Sequence, residues 1–283
     1  MLNSEPMKQV KLPSGEQVPA FGIGTWQMGD AASARAEEIA TIRLALDLGA
    51  KLIDTAEMYG EGKAEKLIAE AIRGRRDEVF IVSKVYPHNA SRKSAVAACE
   101  RSLARLDTDR IDLYLLHWRG SVPLAETMEA FMALKDAGKI RSYGVSNLDV
   151  SDMEELWKVL GGSSVATNQV LYNLSRRGIE WSLLPWMRKH QVPVMAYSPV
   201  EQGRLLDNRK LADFARQNEM TPAQVALAWL LARDDVIVIP KTSRRDRLKE
   251  NLGALDHPLT KPQLAELDRL FPPPKGPSSL DML

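Results

Sequence analysis

Short apolar runs alternate with amphipathic stretches along almost the whole chain, and this alternation restricts the fold more than any other feature. Lys51–Asp54, Val79–Lys84, Ile111–His117, Ile140–Asn147, Ala166–Val170, Pro193–Ser198 and Val236–Lys241 read as strands. They are nearly continuous in apolar residues, as parallel strands are when both faces of their sheet are covered. Helical patterns lie between them. Ala32, Ala36, Ile39, Ile42 and Leu46 recur at spacings of three and four, which predicts a helix that Gly49 stops. Further helices are expected over Ala64–Ile72, from an N-cap at Ser91 to about Leu106, over Leu124–Ala137 with Gly138 closing it, and ending near Val159. Glu180–His190, Leu211–Gln217 and Pro222–Ala232 continue the series.

With Phe21–Trp26 as a first strand, punctuated by glycines that allow close approach, the count is about eight strand-helix units. That predicts an α/β chain folded as a (β/α)8 TIM barrel. Lys8–Leu12 and Gln17-Val18, joined across Pro13-Ser14-Gly15-Glu16, predict a β-hairpin capping its N-terminal side. The competing architecture is a doubly wound open sheet, but no G-x-G-x-x-G turn follows the first strand. Residues 1–283 are therefore expected to form one domain, with an irregular Pro-rich tail over about 272–283.

A net charge of +1 provides no field for holding nucleic acid or an anionic membrane, so any anion site must be local. A single cysteine, Cys99, excludes an internal disulfide and a structural zinc site built on thiolates. No leader-like segment and no run of about 20 apolar residues occurs. A cytoplasmic protein is expected. Oligomeric state leaves no readable mark, and a monomer is favoured.

Asp54, Lys84, His117, Asn147, Gln169, Ser198 and Lys241 each close an apolar run, which in a barrel gathers them on the C-terminal rim where catalytic groups collect. Singly, each has a structural explanation: a capped turn, a solvated strand end, a satisfied core histidine. Together with Tyr59 they form a complementary set. Asp54 beside Lys84 keeps the ammonium charged, and an ammonium near a phenol favours the phenolate, so Tyr59 is expected to have a lowered pKa. The set suits delivery of a proton to an oxygen that is becoming an alkoxide, with His117 orienting that oxygen. Glu57 is the obvious alternative partner for Asp54. It reads instead as a helix-side residue, and Glu57→Gln is expected to keep substantial activity.

Asp54-Thr55-Ala56-x-x-Tyr59-Gly60, Ser83-Lys84, Leu116-His117-Trp118, Gly144-Val145-Ser146-Asn147, Asn168-Gln169-x-x-Tyr172 and Ile239-Pro240-Lys241 together resemble the aldo-keto reductase superfamily, from about Val10 to Phe271. The bacterial reductases of small aldehydes, of the methylglyoxal reductase type, are the nearest in character. The resemblance implies a catalytic tetrad of Asp54, Tyr59, Lys84 and His117, with Tyr59 as general acid. It implies a reduced nicotinamide whose carboxamide is held by Ser146, Asn147 and Gln169 and whose ring stacks on Tyr197. Gly24, Thr25, Trp26 and Ser198 would border the same cofactor, while Trp26, Tyr86 and Trp118 would wall the carbonyl pocket. Lys241, Thr242 and Arg247 would hold a 2′-phosphate, and Glu250 and Asn251 would contact adenine. The implied cofactor is thus NADPH/NADP+ and the implied partner a small carbonyl substrate. Arg244, Arg245 and Lys249 read equally well as a solvated helix face, and Ser243 departs from the apolar residue of some relatives.

Val200–Asn208 occupies the place of a loop folding over the dinucleotide and is short, which predicts a partial clasp and fast cofactor exchange. The tail either covers the pocket through Leu280, Met282 and Leu283 or frays. Two other functions compete. A metal-dependent hydrolase needs clustered ligands, and His88, His117, His190 and His257 form no H-x-H pair. A non-catalytic NADPH-binding regulatory protein on this fold is the stronger rival.

Overall fold

In the computed structural model, which describes residues 7–283, eight parallel strands form one sheet: β3 (Gly22–Gly24), β4 (Leu52–Asp54), β5 (Phe80–Val85), β6 (Ile111–Leu116), β7 (Ile140–Ser146), β8 (Asn168–Leu171), β9 (Val194–Tyr197) and β10 (Val236–Val238). Each pairs with its sequence neighbour. The sheet closes on itself through parallel bridges from Phe21 to Val238 and from Gly24 to Lys241, with Gly24 N donating to the Pro240 carbonyl at 3.0 Å. The (β/α)8 barrel expected from the alternation is the observed fold. An open sheet is ruled out by that seam.

Gly24 accounts for the seam's tightness, and Gly22 for the close approach of β3 to β4 on its other side. A Cβ at Gly22 would lie 2.4 Å from Leu52 Cδ2 and 2.9 Å from its carbonyl oxygen, and one at Gly24 would lie 3.1 Å from the Ile239 oxygen. Side chains at these two positions would hold the neighbouring strands apart.

The helices outside are α1 (Arg35–Asp47), α2 (Lys63–Ala71), α3 (Arg92–Leu106), α4 (Leu124–Asp136), α5 (Val150–Trp157), α6 (Leu183–Lys189), α7 (Arg209–Gln217), α8 (Pro222–Leu231), α9 (Arg245–Leu252) and α10 (Lys261–Leu270). Local chemistry fixes their starts. Ser91 accepts from Ser94 N at the head of α3, as its sequence context predicts, and Thr221 with Gln224 forms a capping box ahead of Pro222. Boundaries shift by a few residues elsewhere: Ala32–Ala34 and Gly178–Glu180 are single 3-10 turns rather than parts of α1 and α6.

The hairpin is present as β1 (Gln9–Lys11) and β2 (Gln17–Pro19). Val10, Leu12 and Val18 are buried, and Lys8 Nζ binds the carbonyls of Leu231 and Arg233 just before β10. This pins the hairpin to the N-terminal end of the barrel and leaves the opposite rim open. No helix of the described residues is long and apolar enough to cross a membrane, and no cluster of potential metal ligands occurs among them.

Candidate active site

The rim residues of adjacent strands converge on one buried ion pair. Lys84, in β5, is fully enclosed, and its Nζ lies 2.8 Å from both carboxylate oxygens of Asp54 at the end of β4. A third bond at 2.8 Å goes to the Thr55 carbonyl, and the Tyr59 hydroxyl stands 3.4 Å away. Tyr59 begins a 3-10 turn between β4 and α2, which swings its ring back over the barrel mouth, 5.0 Å from Lys84 Nζ and 5.9 Å from the His117 ring. The four residues picked out in the sequence therefore do meet.

Their electrostatics differ from expectation in one respect. Burial raises the Tyr59 pKa well above the ordinary phenol value, and the Asp54 carboxylate adds to the rise. Lys84 does not reverse this, because desolvation pulls the lysine down while Asp54 and its hydrogen bonds hold it up. The lowered Tyr59 pKa anticipated from an isolated lysine-tyrosine pair is thus not found: Asp54 offsets the ammonium, and removal from water dominates. Tyr59 remains a protonated phenol. His117 is pushed down to about 2 by burial and by Lys84, so it is a neutral imidazole, and its Nδ1 has no partner among the described residues.

A second chain of hydrogen bonds runs from this centre across the rim. Gln169 Nε2 donates to Asp54 Oδ1 at 2.7 Å, Ser146 Oγ donates to the Gln169 carbonyl at 2.8 Å, and Asn147 Nδ2 bonds Ser146 Oγ at 3.1 Å. Tyr197 completes it by donating to Asn147 Oδ1 at 3.0 Å. Asn147 and Ser198, each just beyond a strand end, adopt left-handed backbone with φ of 57° and 47°. Such conformations are costly for residues with a Cβ and concentrate at functional rims.

Above the network opens a cavity of about 820 Å³. Its wall includes Asp54, Tyr59, His117, Ser146, Asn147, Gln169, Tyr197 and Ser198 at one end, and Lys241, Thr242, Arg247, Glu250 and Asn251 at the other. Gly24, Trp26 and Trp118 also border it. Arg244 and Arg247 both border the cavity, but Arg244 is paired with Asp246, while Arg245, off the wall, is paired with Glu37 of α1. The first turn of α9 has no side-chain cap, which leaves amide donors at the cationic end.

Three residues stand elsewhere than the sequence suggests. Thr25 is sealed from the cavity and donates to the Asp54 carbonyl at 2.9 Å, a bond that stitches β3 to β4. Tyr86 lies behind the wall, edge-on to Trp118 at 5.8 Å, and reaches the cavity only through that ring. Glu57 is not on the side of a helix. It sits buried in the turn after β4, where its Oε1 accepts from Tyr86 N at 2.8 Å and Asn89 Nδ2 at 3.0 Å. Sequence reasoning passed over Met58 and Ala223, which line the cavity, whereas Leu206, also on the wall, lies in the loop expected over the dinucleotide. Of the two, Met58 had a usable signal, as the apolar neighbour of Tyr59. The tail covers rather than frays: Met282 and Leu283 are on the wall, Leu280 packs on the core, and Asp281 pairs with Arg176 at 3.5 Å.

A barrel with an aspartate, tyrosine, lysine and histidine gathered at its C-terminal mouth is the arrangement of an aldo-keto reductase, and residues 20–271 match the aldo/keto reductase family. The chain belongs to that family and is an enzyme of it. It is 49% identical over 281 residues to methylglyoxal reductase YeaE of Escherichia coli (strain K12), covering 98% of this chain and 99% of that one. Glyoxal reductase of Bacillus subtilis (strain 168) is 33% identical over 261 residues, 92% of each. An aldo/keto reductase of Klebsiella pneumoniae, solved in complex with NADP and acetate, superposes with a TM-score of 0.95 at 48% identity, covering 98% of this chain and 100% of that one.

Proposed function

We propose that this protein reduces small aldehydes and dicarbonyls to alcohols with NADPH, using Tyr59 as the general acid. The observation that carries the reading is the position of the Tyr59 hydroxyl, 3.4 Å from the buried Lys84 ammonium, in the wall of a cavity whose far end is cationic. The relatives point the same way: two act on methylglyoxal and glyoxal by name, and Klebsiella reductases are known with NADP and with NADPH.

The residues present fit the cofactor. Lys241, Thr242, Arg247 and the uncapped amides of α9 together suit a phosphate dianion, which favours the 2′-phosphorylated dinucleotide over a bare ribose. Ser146, Asn147 and Gln169 offer the donors and acceptors a carboxamide needs, and Tyr197 offers a flat face. Gln169 spends Nε2 on Asp54, so its side-chain oxygen is the atom left to accept. Glu250 and Asn251 remain for the adenine edge.

Bound NADPH supplies a hydride to the carbonyl carbon. The protein's part is to place the carbonyl oxygen and to protonate it. Neutral His117 donates a hydrogen bond that orients the oxygen, and Tyr59 releases its proton there as negative charge develops. The resulting phenolate is stabilised by Lys84, which Asp54 and Gln169 hold in place. Trp26 and Trp118 border the pocket and offer it apolar faces. A cytoplasmic location accords with the buried, unpaired Cys99.

The test is oxidation of NADPH in the presence of methylglyoxal. Tyr59→Phe should lose about 100- to 10,000-fold in kcat, the range that proton transfer contributes, while NADPH affinity by fluorescence titration stays unchanged. Turnover undiminished in Tyr59→Phe would remove the tyrosine from its role, and no turnover of methylglyoxal by the wild type would overturn the small-dicarbonyl reading.

A further inference from the structure

We propose that Glu57 is a positioning residue that sets the substrate wall by fixing Tyr86 behind Trp118, an inference that rests on the reading of the cavity as an aldehyde pocket. A buried carboxylate demands partners, and those of Glu57 are unusual for a residue two places from the proposed acid. It makes no contact with Asp54 or Lys84 side chains. Its Oε1 accepts from the Tyr86 backbone amide at 2.8 Å and from Asn89 Nδ2 at 3.0 Å, so both ends of the turn between β5 and α3 hang on one oxygen. Its own amide is tied to the Lys84 carbonyl at 3.3 Å, which locks the clamp to the strand carrying the lysine.

The turn it holds leads to the pocket through aromatic rings. Tyr86 meets Trp118 edge-to-face, with centroids 5.8 Å apart at 87°, and is backed by His88 at 4.7 Å. Trp118 lines the cavity and packs on His117 at 4.9 Å. A shift of the turn would be transmitted to Trp118 and to the space beside His117, because the half-buried Tyr86 and Trp118 rings are in direct contact and Trp118 lies against His117. The bonding also says which property of Glu57 matters. Arg101 is 3.6 Å from Oε2 and half-exposed, so that ion pair adds little. The acceptor on Oε1 is the functional atom, and a glutamine reproduces it.

Glu57→Gln, Glu57→Leu and Tyr86→Leu would be compared by steady-state kinetics with methylglyoxal and with a bulkier aromatic aldehyde, by NADPH titration, and by amide exchange of the 85–91 segment. Glu57→Leu is expected to raise the aldehyde KM about tenfold, as expected when buried donors lose their acceptor, to alter the ratio between the two aldehydes, and to expose the Tyr86 amide, with NADPH affinity unchanged. Glu57→Gln should stay within about twofold of the wild type on every readout. Tyr86→Leu, which keeps the backbone clamp, should reproduce the KM change and serves if Glu57→Leu does not fold. An unchanged aldehyde KM in both leucine variants overturns the proposal, as does an equal loss in Glu57→Gln and Glu57→Leu, or a parallel decline of kcat, KM and NADPH affinity. A wild type that reduces neither aldehyde overturns the functional reading as well, whereas normal wild-type turnover with a silent Glu57 series overturns this inference alone.

Discussion

Gln169 Nε2 and Lys84 Nζ bind the same oxygen, Asp54 Oδ1, at 2.7 and 2.8 Å. One carboxylate therefore joins the residue expected to hold the nicotinamide carboxamide to the residue proposed to stabilise the proton donor. Asp54→Asn keeps the shape and removes the charge that opposes desolvation of Lys84. We expect kcat to fall by about 10- to 100-fold, part of the contribution of proton transfer, and the apparent KM for NADPH to rise as the bond from Gln169 loses its charged acceptor. Steady-state kinetics with both substrates varied would show this; a change in kcat without any change in cofactor KM would mean that the two sides are uncoupled.

The pH profile should lack a histidine. His117 titrates near 2, so it stays neutral through the working range. As the proposed general acid Tyr59 must carry a proton, and its pKa is raised, so the active form is expected to persist from acid through neutrality and to be lost only as pH climbs through that raised value. Reduction, followed as kcat/KM, should run level between roughly pH 5 and 8, where an ordinary histidine would bend it. The reverse oxidation of alcohols requires the phenolate and should increase with pH over the same range.

Arg247 tests the choice of dinucleotide. It lines the cationic end of the cavity, where its neighbour on the wall, Arg244, is already paired with Asp246, and Arg245 is paired with Glu37. Arg247→Ala should raise the NADPH KM by roughly 10- to 100-fold, corresponding to loss of a charge-assisted hydrogen bond of about 1.5–3 kcal/mol, and leave the NADH KM nearly untouched. Equal effects on both cofactors would place the 2′-phosphate elsewhere.

The loop over the cavity and the tail are fastened by one arginine. Arg176 binds buried Glu201 at 3.0 Å and Asp281 at 3.5 Å. Glu201 also receives Asn173 Nδ2 at 2.8 Å, which anchors the 3-10 segment Glu201–Asp207. The short loop predicts cofactor exchange that is not much slower than turnover. Glu201→Ala should accelerate NADPH release further, by about tenfold for the loss of a buried charged hydrogen bond. Stopped-flow fluorescence measures this directly, and wild-type release far slower than turnover would show the clasp to be complete.

The close pairing of β3 with β4 depends on Gly22. Gly22→Ala forces a methyl to within 2.4 Å of Leu52 and should destabilise the fold by about 1–3 kcal/mol, as overpacking does. Urea titration should register a lower midpoint with an unchanged slope, and activity at low temperature should survive.

Much of this molecule was legible in its residue order. The recurrence of apolar runs and helical spacings sufficed for the barrel, because periodicity is a local property that burial on one or both faces imposes directly. The rim was legible for the same reason: Asp54, Lys84, His117 and Asn147 stand at or just past strand ends, and strands of one barrel end together, whereas Gln169, expected to close its strand, is the second residue of β8. The arrangement within the rim was another matter. Asp54 and Gln169 are 115 residues apart, and nothing local announces that they share a bond. The Tyr59 pKa moves opposite to the pairwise argument because desolvation depends on everything packed around the ring, and that packing comes from several strands at once. Thr25 and Tyr86 were placed on the wall by their neighbours in sequence, but their side chains turn to Asp54 and to Trp118. Glu57, an acid in a polar-looking turn, became a buried clamp only when β5 brought Tyr86 and Asn89 to it. The sequence by itself determined the barrel, the glycines of its first strand and the kinds of group at its mouth. Which groups touch, which are sealed from water and which way their protons lean was decided by tertiary structure, since contact and desolvation are properties of the closed barrel and not of any segment in it.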